Sequence, residues 1–460
     1  MLARRFVDLL LDGWSGVFKQ RRTLRRALEH ALAITAVAGR RTISRAILAL
    51  GRGQVDWSAD YRLFSRRSWK TADLFTPVIK HYLERYPEAQ TPIGLALDDT
   101  ALARAGKHVP HTLWYRDPMS PPFHVNLLHG LRFVQISLIF PHHQEGPYGA
   151  RSIPVRFAES VPIKKPGKKA SREEIQAYRQ ARREHNLVLD ATRLLGEVRA
   201  AFDAQGAYDR HLIVGVDGSY CNRGGFGNLP ERTDLIARSR KDATLCFPAP
   251  PGTRRFYGEQ SFTPEQVRQD DSIAYQSVPA CIGGLWREIR YKEIQRVLWQ
   301  GGARRRLLRL LVLAPIPYKL SPHSRTHYRQ PAYLLTTELT LPACELIQIY
   351  VDRWQIEVNH RDEKDILGVG QAQVWSENSV GRHPSFRVAC YSMLLLASLL
   401  EFGIPRTQDY LELPCWRQRR PRRASILDMV TRLRVDLQEA AVYHVGLDQI
   451  PDNLVRVSYG

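Results

Sequence analysis

Cysteine is scarce: six in 460 residues, scattered at Cys221, Cys246, Cys281, Cys344, Cys390 and Cys415, with no C-x-x-C pair and no histidine cluster beside them. Both a disulfide framework and a structural zinc site need clustered ligands, so the spacing argues against both and predicts reduced, mostly buried thiols. A bilayer-length apolar run is missing too. The most apolar stretch, CYSMLLLASLLEFG from Cys390, is shorter than the roughly 20 residues a span requires and reads as a buried helix. The N-terminus, MLARRFVDLLLDGW, has basic residues ahead of apolar ones, but Asp8 and Asp12 interrupt it and no cleavage site follows. A soluble, cytoplasmic protein is expected, with no membrane partner. Acidic residues are in short supply: 46 against 67 Lys and Arg, a formal net charge of +21.

Such an imbalance attracts polyanions, because each cation placed on a phosphate releases condensed counterions. Nucleic acid is the partner it favours. The apolar fraction of 44% is ordinary for a globular protein. The length suggests roughly two to four structural units. There is no internal repeat.

Residues 1–90 are expected to be helical: apolar residues recur at helical spacing (Leu24, Leu28, Leu32) and proline is absent before Pro77. AVAGRR then turns, and Thr42 can cap a second helix carrying Ile43, Ala46, Ile47 and Leu50. Two helices around a Gly turn with Arg40, Arg41 and Arg45 beside it are compatible with a helix-turn-helix that binds DNA, although such packed pairs are also common without that role. From Thr91 the pattern becomes strand-like. TPIGLALDDT ends in two acids, LRFVQISLIF suits a sheet interior, and HLIVGVDGSY ends in Asp217. Between them a basic stretch, IKKPGKKAS, leads into a helix expected to run to about Ala201. Residues 222–330 read as a mostly β insertion. AYLLTTEL is a further strand, LPACELIQIYVDRWQIEVNHRDEKDILG one long helix, and an apolar helix is expected from about Pro384 to Phe402. The tail holding WRQRRPRRAS is too charged to be core.

Two apolar strands each ending in Asp, followed far downstream by a helix bearing Glu, form the arrangement of ribonuclease-H-like nucleases. In-line phosphodiester cleavage places one metal on the attacking oxygen and one on the leaving oxygen. Three carboxylates can hold two Mg²⁺ ions, hard cations that take oxygen ligands, and still leave sites for phosphate and water. On the Glu-bearing helix, Tyr350, Arg353, Glu357 and Lys364 lie at offsets of 3, 7 and 14 from the tyrosine, within an arc of roughly 60°. That stripe suits a phosphate beside a metal site, or equally a solvated face with an Arg353–Glu357 pair.

The pattern Y-x2-R-x3-E-x6-K in YVDRWQIEVNHRDEK resembles the Y-R-E-K signature of the DDE transposases of bacterial insertion sequences. DDT, VDGSY, LPERTDLIARSRKDATL, RW-x-IE and LG-x-x-Q, in order over roughly residues 91–400, also have counterparts there. The resemblance implies an α/β ribonuclease-H-like core interrupted by a mostly β insertion, with a helical N-terminal DNA-binding region and a basic helical C-terminal region. The corresponding units are 1–90, 91–221, 222–330, 331–402 and 403–460. It implies cut-and-paste transposition: water nicks DNA at the element's ends, the freed 3′-hydroxyl attacks target DNA, and no covalent protein–DNA intermediate forms. Asp217 and Glu357 become the second and third metal ligands for two Mg²⁺, with Mn²⁺ able to substitute. Tyr350, Arg353 and Lys364 become phosphate contacts.

For the first ligand, strand alternation sends Asp98 and Asp99 to opposite faces without choosing between them, whereas the resemblance selects Asp99, the acid directly before Thr100. Trp286 and Trp299 lie where hairpin-forming members stack a tryptophan on an extruded base. The partners implied are double-stranded DNA, both element ends and target, and further copies of the chain assembled as a dimer or larger on DNA, at the bacterial nucleoid. The alternatives are a domesticated endonuclease derived from a transposase and a non-catalytic DNA-binding descendant.

Overall fold

The computed structural model describes residues 1–443 apart from 67, 89–90, 107, 118–119, 122, 143–148, 320–323 and 418–420. Five helices open the chain: α1 (Leu2–Trp14), α2 (Arg21–Ala36), α3 (Ile43–Ala49), α4 (Ser58–Ser65) and α5 (Thr76–Arg85). Thr42 caps α3 as expected, its side chain accepting from the Arg45 amide. These helices do not stand apart. Phe6, Leu10 and Trp14 of α1 are fully buried and belong to one apolar core with the sheet and the C-terminal helices.

The first half of the sheet is built from β1 (Ile93–Ala103), β2 (Leu113–Arg116), β3 (Leu127–Ile139) and β4 (Ser152–Glu159). Next come α6 (Arg172–Glu184), α7 (Leu187–Ala204), β5 (Leu212–Val216), α8 (Arg223–Gly227) and β6 (Thr233–Ser239). β3 pairs antiparallel with β1, and β4 and β2 pair with β3 on its far edge. β5 runs parallel to β1, and β6 parallel to β5. The single helix expected up to Ala201 is two, because Asn186 breaks the run and caps α7, its side-chain oxygen accepting from the Val188 and Leu189 amides.

The sheet continues without interruption. β7 (Leu245–Pro248), β8 (Tyr257–Phe262), α9 (Pro264–Gln269), β9 (Gln276–Ile282), β10 (Leu285–Leu298), α10 (Gln300–Ala303), β11 (Leu307–Leu313), β12 (Pro317–Tyr318), β13 (His327–Tyr328) and β14 (Ala332–Thr336) follow. β14 returns beside β6, and β11, β10, β7 and β8 extend outward from it. The β insertion is therefore fused edge to edge with the first half. β6, which a boundary at 222 assigns to the insertion, is hydrogen-bonded to β5 on one side and β14 on the other.

The long helix expected from Leu341 is also divided. α11 (Ala343–Asp352) stops, Arg353 and Trp354 form a turn, α12 (Gln355–Arg361) resumes, and residues Asp362–Ile366 form a π-helical turn. Gln348 anchors α11 to the open edge of β9: its side-chain amide accepts from Cys281 N at 2.7 Å and donates to Cys281 O at 3.1 Å. α13 (Glu377–Phe402) starts earlier than expected, with the Ser376 side chain capping it by accepting from the Ser379 amide. It is long and apolar enough to cross a membrane, but 83% of its apolar window is buried inside the protein, as in a core helix. α14 (Ile426–Tyr443) closes the described chain. Of the C-terminal region expected at 403–460, residues 418–420 and 444–460 lie outside the described residues.

Alternation sorts the sheet's two faces. Leu212, Val214 and Val216 join the core that contains α7, whereas Ile213 joins a second cluster with Leu346 and Ile347 of α11.

Candidate active site

Asp217 directly follows β5 and shares the parity of Ile213 and Gly215, so it points to the α11 side. The parallel register sets Gly94 opposite Ile213 and Ala96 opposite Gly215; continued by two residues, it sets Asp98 beside Asp217. Gly94, Ala96 and Gly215, which precede the acids on this face, are small, and that is what lets the helix come close. A Cβ on Gly215 would lie 3.3 Å from the Arg353 Cβ and 3.4 Å from the Ile349 carbonyl oxygen. Arg353 and Glu357 are thereby held over the two aspartates.

The charges meet there. Arg353 lies between two acids, with Nη1 3.7 Å from Asp98 Oδ2 and Nη2 3.2 Å from Glu357 Oε1. Burial, reinforced by the charge of Asp217, raises Asp98 to about 7, against the pull of the Asp99 amide and Arg353. Glu357 is also raised, by burial first and by Asp217, with Arg353 opposing. The Tyr350 phenol is raised chiefly by burial, and Arg353 and the exposed Arg238 are the cations that oppose it. Asp217 itself accepts from the Ser219 amide at 2.9 Å and the Ser219 hydroxyl at 2.6 Å.

Asp99 is engaged elsewhere. Its Oδ2 accepts from Arg132 Nε at 2.6 Å and its Oδ1 from the Tyr220 hydroxyl at 3.1 Å, both on the opposite face. The preference for Asp99 is thus reversed by geometry: the acid that faces Asp217 and Arg353 is Asp98. Neither aspartate ends its strand, because β3 continues to pair as far as Ala103.

The other expected site residues divide. Tyr350, Arg353 and Glu357 stay together, with the Arg353 guanidinium 6.0 Å from the Tyr350 ring centre. Lys364 lies in the π-helical segment, and the acids that act on it most are not Asp98, Asp217 or Glu357. Burial lowers its ammonium, and Glu363, Asp365, Asp117 and Asp99 are the acids that oppose this. Arg40 and Arg45 are exposed. Arg41 is not available to DNA: it is 7% exposed, its Nε donates to Ile34 O at 3.1 Å, and its Nη1 donates to Ile366 O. Trp299 packs edge-on to Phe226 at 6.3 Å, a core contact. Trp286 is 53% exposed and lines a cleft of about 540 Å³ with Pro92, Gly94 and Cys344, by the start of β1 and not by Asp98.

The family model of the DDE superfamily endonucleases matches residues 15–306. The chain belongs to this family. No curated protein matches it. In this DDE endonuclease the matched stretch contains Asp98, Asp99 and Asp217, while Glu357 lies beyond it and is tied to them by the fold. Two further residues stand at the site without having been expected there. Arg238, within LIARSR, sits at the end of β6. Trp354, 54% exposed, occupies the turn between α11 and α12 and is visible in the sequence as the W of RW-x-IE.

Three acids crowded at one sheet end, one of them raised to about 7, suit a divalent cation with oxygen ligands. Arg353 Nε and Nη1 are buried without hydrogen-bond partners, which suits an incoming phosphate. Among the described residues, the candidate ligand atoms that all lie within 4.8 Å of one another are a different set, from His211, Asp234 and Glu338 at the other end of β5. There both acids already accept hydrogen bonds, Asp234 from Thr337 and Glu338 from Thr340 and Leu341, so the group reads as a braced turn.

Proposed function

We propose that this chain is a transposase of the insertion-sequence type with a ribonuclease-H-like core. It binds the ends of its element, cuts them in a metal-dependent reaction and transfers the freed strands to target DNA. The observation that carries the reading is the meeting of Asp98, Asp217 and Glu357 around Arg353 at one end of the sheet. The order β4-β3-β1-β5-β6, with three antiparallel strands and two parallel to β1, supports a ribonuclease-H-like core.

In this reading Asp98, Asp217 and Glu357 would hold two Mg²⁺ ions, or Mn²⁺ in their place. When bound, these ions activate the attacking oxygen and stabilise the leaving one. Asp98 must give up its proton for that role. Arg353, with two unsatisfied donors, turns from the carboxylates to a phosphate oxygen, and Tyr350 and Arg238 flank the same phosphate chain. The chain acts in the bacterial cytoplasm, as a dimer or larger assembly holding two DNA ends.

The test uses purified full-length protein and a duplex carrying the sequences that border its gene. Asp217→Ala and Glu357→Ala should each lower Mg²⁺-dependent strand cleavage by at least about 10³-fold while DNA binding persists, since phosphate contacts elsewhere supply affinity. Substantial cleavage by the Glu357→Ala protein would sink the assignment.

A further inference from the structure

Among the described residues α6 is the one long helix without a buried residue, and each of its side chains is exposed or only partly covered. An isolated helix of 13 residues is marginal in water. This one is held by local devices: a Ser171–Glu174 capping box, acids in the first turn and arginines in the last. Such a helix has been given stability with little packing against the described residues.

Its charge is sorted by face. Arg172, Arg179 and Arg183 fall within about 40° of one another around the axis, with Arg182 flanking them. Glu173 and Glu184 lie about 100–120° round from Arg172 and Glu174 nearly opposite it. The stripe is roughly 16 Å long. The loop leading into it adds two lysine pairs, Lys164–Lys165 and Lys168–Lys169. None of these eight cations makes an ion pair among the described residues, whereas Arg156, Arg193, Arg199 and Arg232 nearby all do.

The fold fixes where the arm begins and ends. β4 ends at Glu159, which pairs with Phe133, which pairs with Thr100 on β1, one residue beyond Asp99. The Ser160 hydroxyl donates to Asp190 in the first turn of α7 at 2.6 Å. A Cβ on Gly224, in the helix after Asp217, would lie 3.0 Å from Val188. Both ends of the arm are therefore anchored at the catalytic end of the sheet, on the α7 side.

We propose that residues 161–186 form a phosphate-gripping arm that docks along duplex DNA beside the catalytic carboxylates, independently of base sequence. Duplex DNA is the occupant because the stripe is purely cationic and unpaired, and because it stands at the end of the sheet where a DNA substrate enters. The inference rests on the nuclease reading for its location. Its readout is binding, measured without divalent metal, so the two fail separately: a protein that binds through the arm but does not cut sinks only the nuclease reading.

The variant is the full chain with R172Q, R179Q, R182Q and R183Q together. Gln keeps the helix propensity and the Ser171–Glu174 capping box is untouched, so losing the two last-turn charges should lower the far-UV helical signal only slightly. Affinity for a random-sequence duplex is measured across a salt series. The magnitude of the slope of log K against log salt should fall by up to about 3.6, about 0.9 for each phosphate that is no longer neutralised. Affinity at moderate salt should fall at least tenfold. An unchanged slope and affinity overturns the proposal. So does an unchanged slope accompanied by lost self-association in sedimentation, which would assign the arm to a second copy of the chain.

Discussion

Asp98 and Asp99 differ by one peptide unit and face different surroundings, which gives their substitutions opposite signs. Asp98 lies among acids, and burial with Asp217 raises it from 3.8 to about 7. The folded protein thus holds a proton between those two pH values that the unfolded chain has lost. Its stability should fall as pH rises from about 4 to 7, and the penalty should be complete above that. At about 1.4 kcal/mol per pH unit the penalty is bounded by about 4 kcal/mol. Asp98→Asn removes the charge and keeps the volume. In EDTA at pH 8 this variant should melt higher than the parent, the two should converge near pH 4, and it should be nearly inactive in cleavage. Asp99→Asn loses the Arg132 ion pair and weakens the Tyr220 bond, so it should melt lower while keeping measurable cleavage. A lower melting point for Asp98→Asn in EDTA at pH 8 would count against this assignment of faces. The choice was written in the sequence in a form that the D-D-T pattern did not expose: Gly94, Ala96 and Gly215 are the small residues of one face, and the acid that continues their alternation is Asp98.

At the scale of elements, types were more legible than boundaries. IGLAL, LRFVQISLIF and HLIVGV are strands, and the Glu357 region is helical, because period and residue type dictate both. The divisions within helices were not legible. Arg353–Trp354 interrupts a stretch with sustained helical pattern because α11 is pinned to β9 through Gln348, while the next segment must follow β1 and bury Asp362 and Glu363. Two docking directions leave a turn and a π-helical segment between them, the kind of local irregularity often found at functional sites. The partner of β6 was illegible for a related reason: a strand's own periodicity says which face is apolar, not which edge finds a neighbour. The close approach of α11 makes a sharp prediction. Gly215→Val places carbon atoms against Ile349 O and the Arg353 Cβ, 3.4 and 3.3 Å from where a Cβ alone would sit. Overpacking of this kind costs about 1–3 kcal/mol. Its larger effect should be to lift Arg353 and Glu357 from Asp98 and Asp217, lowering cleavage at least tenfold with DNA affinity nearly unchanged. Full cleavage by a folded Gly215→Val protein would show that helix position over β5 is not limiting.

Across the whole molecule, the N-terminal helices and the catalytic sheet form one body, and the boundary expected at residue 90 separates parts of a common core. Trp14 packs on Phe386 of α13 at 5.2 Å between ring centres, the Ala3 amide donates to buried Asp436 of α14 at 2.9 Å, and Asn378 donates to Ser65 O at 2.8 Å. Arg387, buried in α13, donates to the carbonyl of Arg41 and, at 2.9 Å, to that of Leu367. The turn before α3 is thereby tied to the segment following the π turn. Exposed Arg40 and Arg45 are consequently carried on the same rigid body as Asp98 and Glu357, and any reading of DNA by α3 is fixed in direction relative to cleavage. A fragment of residues 1–90 would expose Phe6, Leu10 and Trp14, all fully buried in the whole chain. At about 1.5–3 kcal/mol for each large apolar side chain, that loss is comparable with the roughly 5–15 kcal/mol by which whole domains are stable. The fragment should therefore show weak helical signal, no cooperative thermal transition and no sequence preference in DNA binding. The same helices in the full chain should be protected from amide exchange as strongly as α13. Cooperative melting of the isolated fragment would refute the shared core and restore the N-terminal helices as an independent domain.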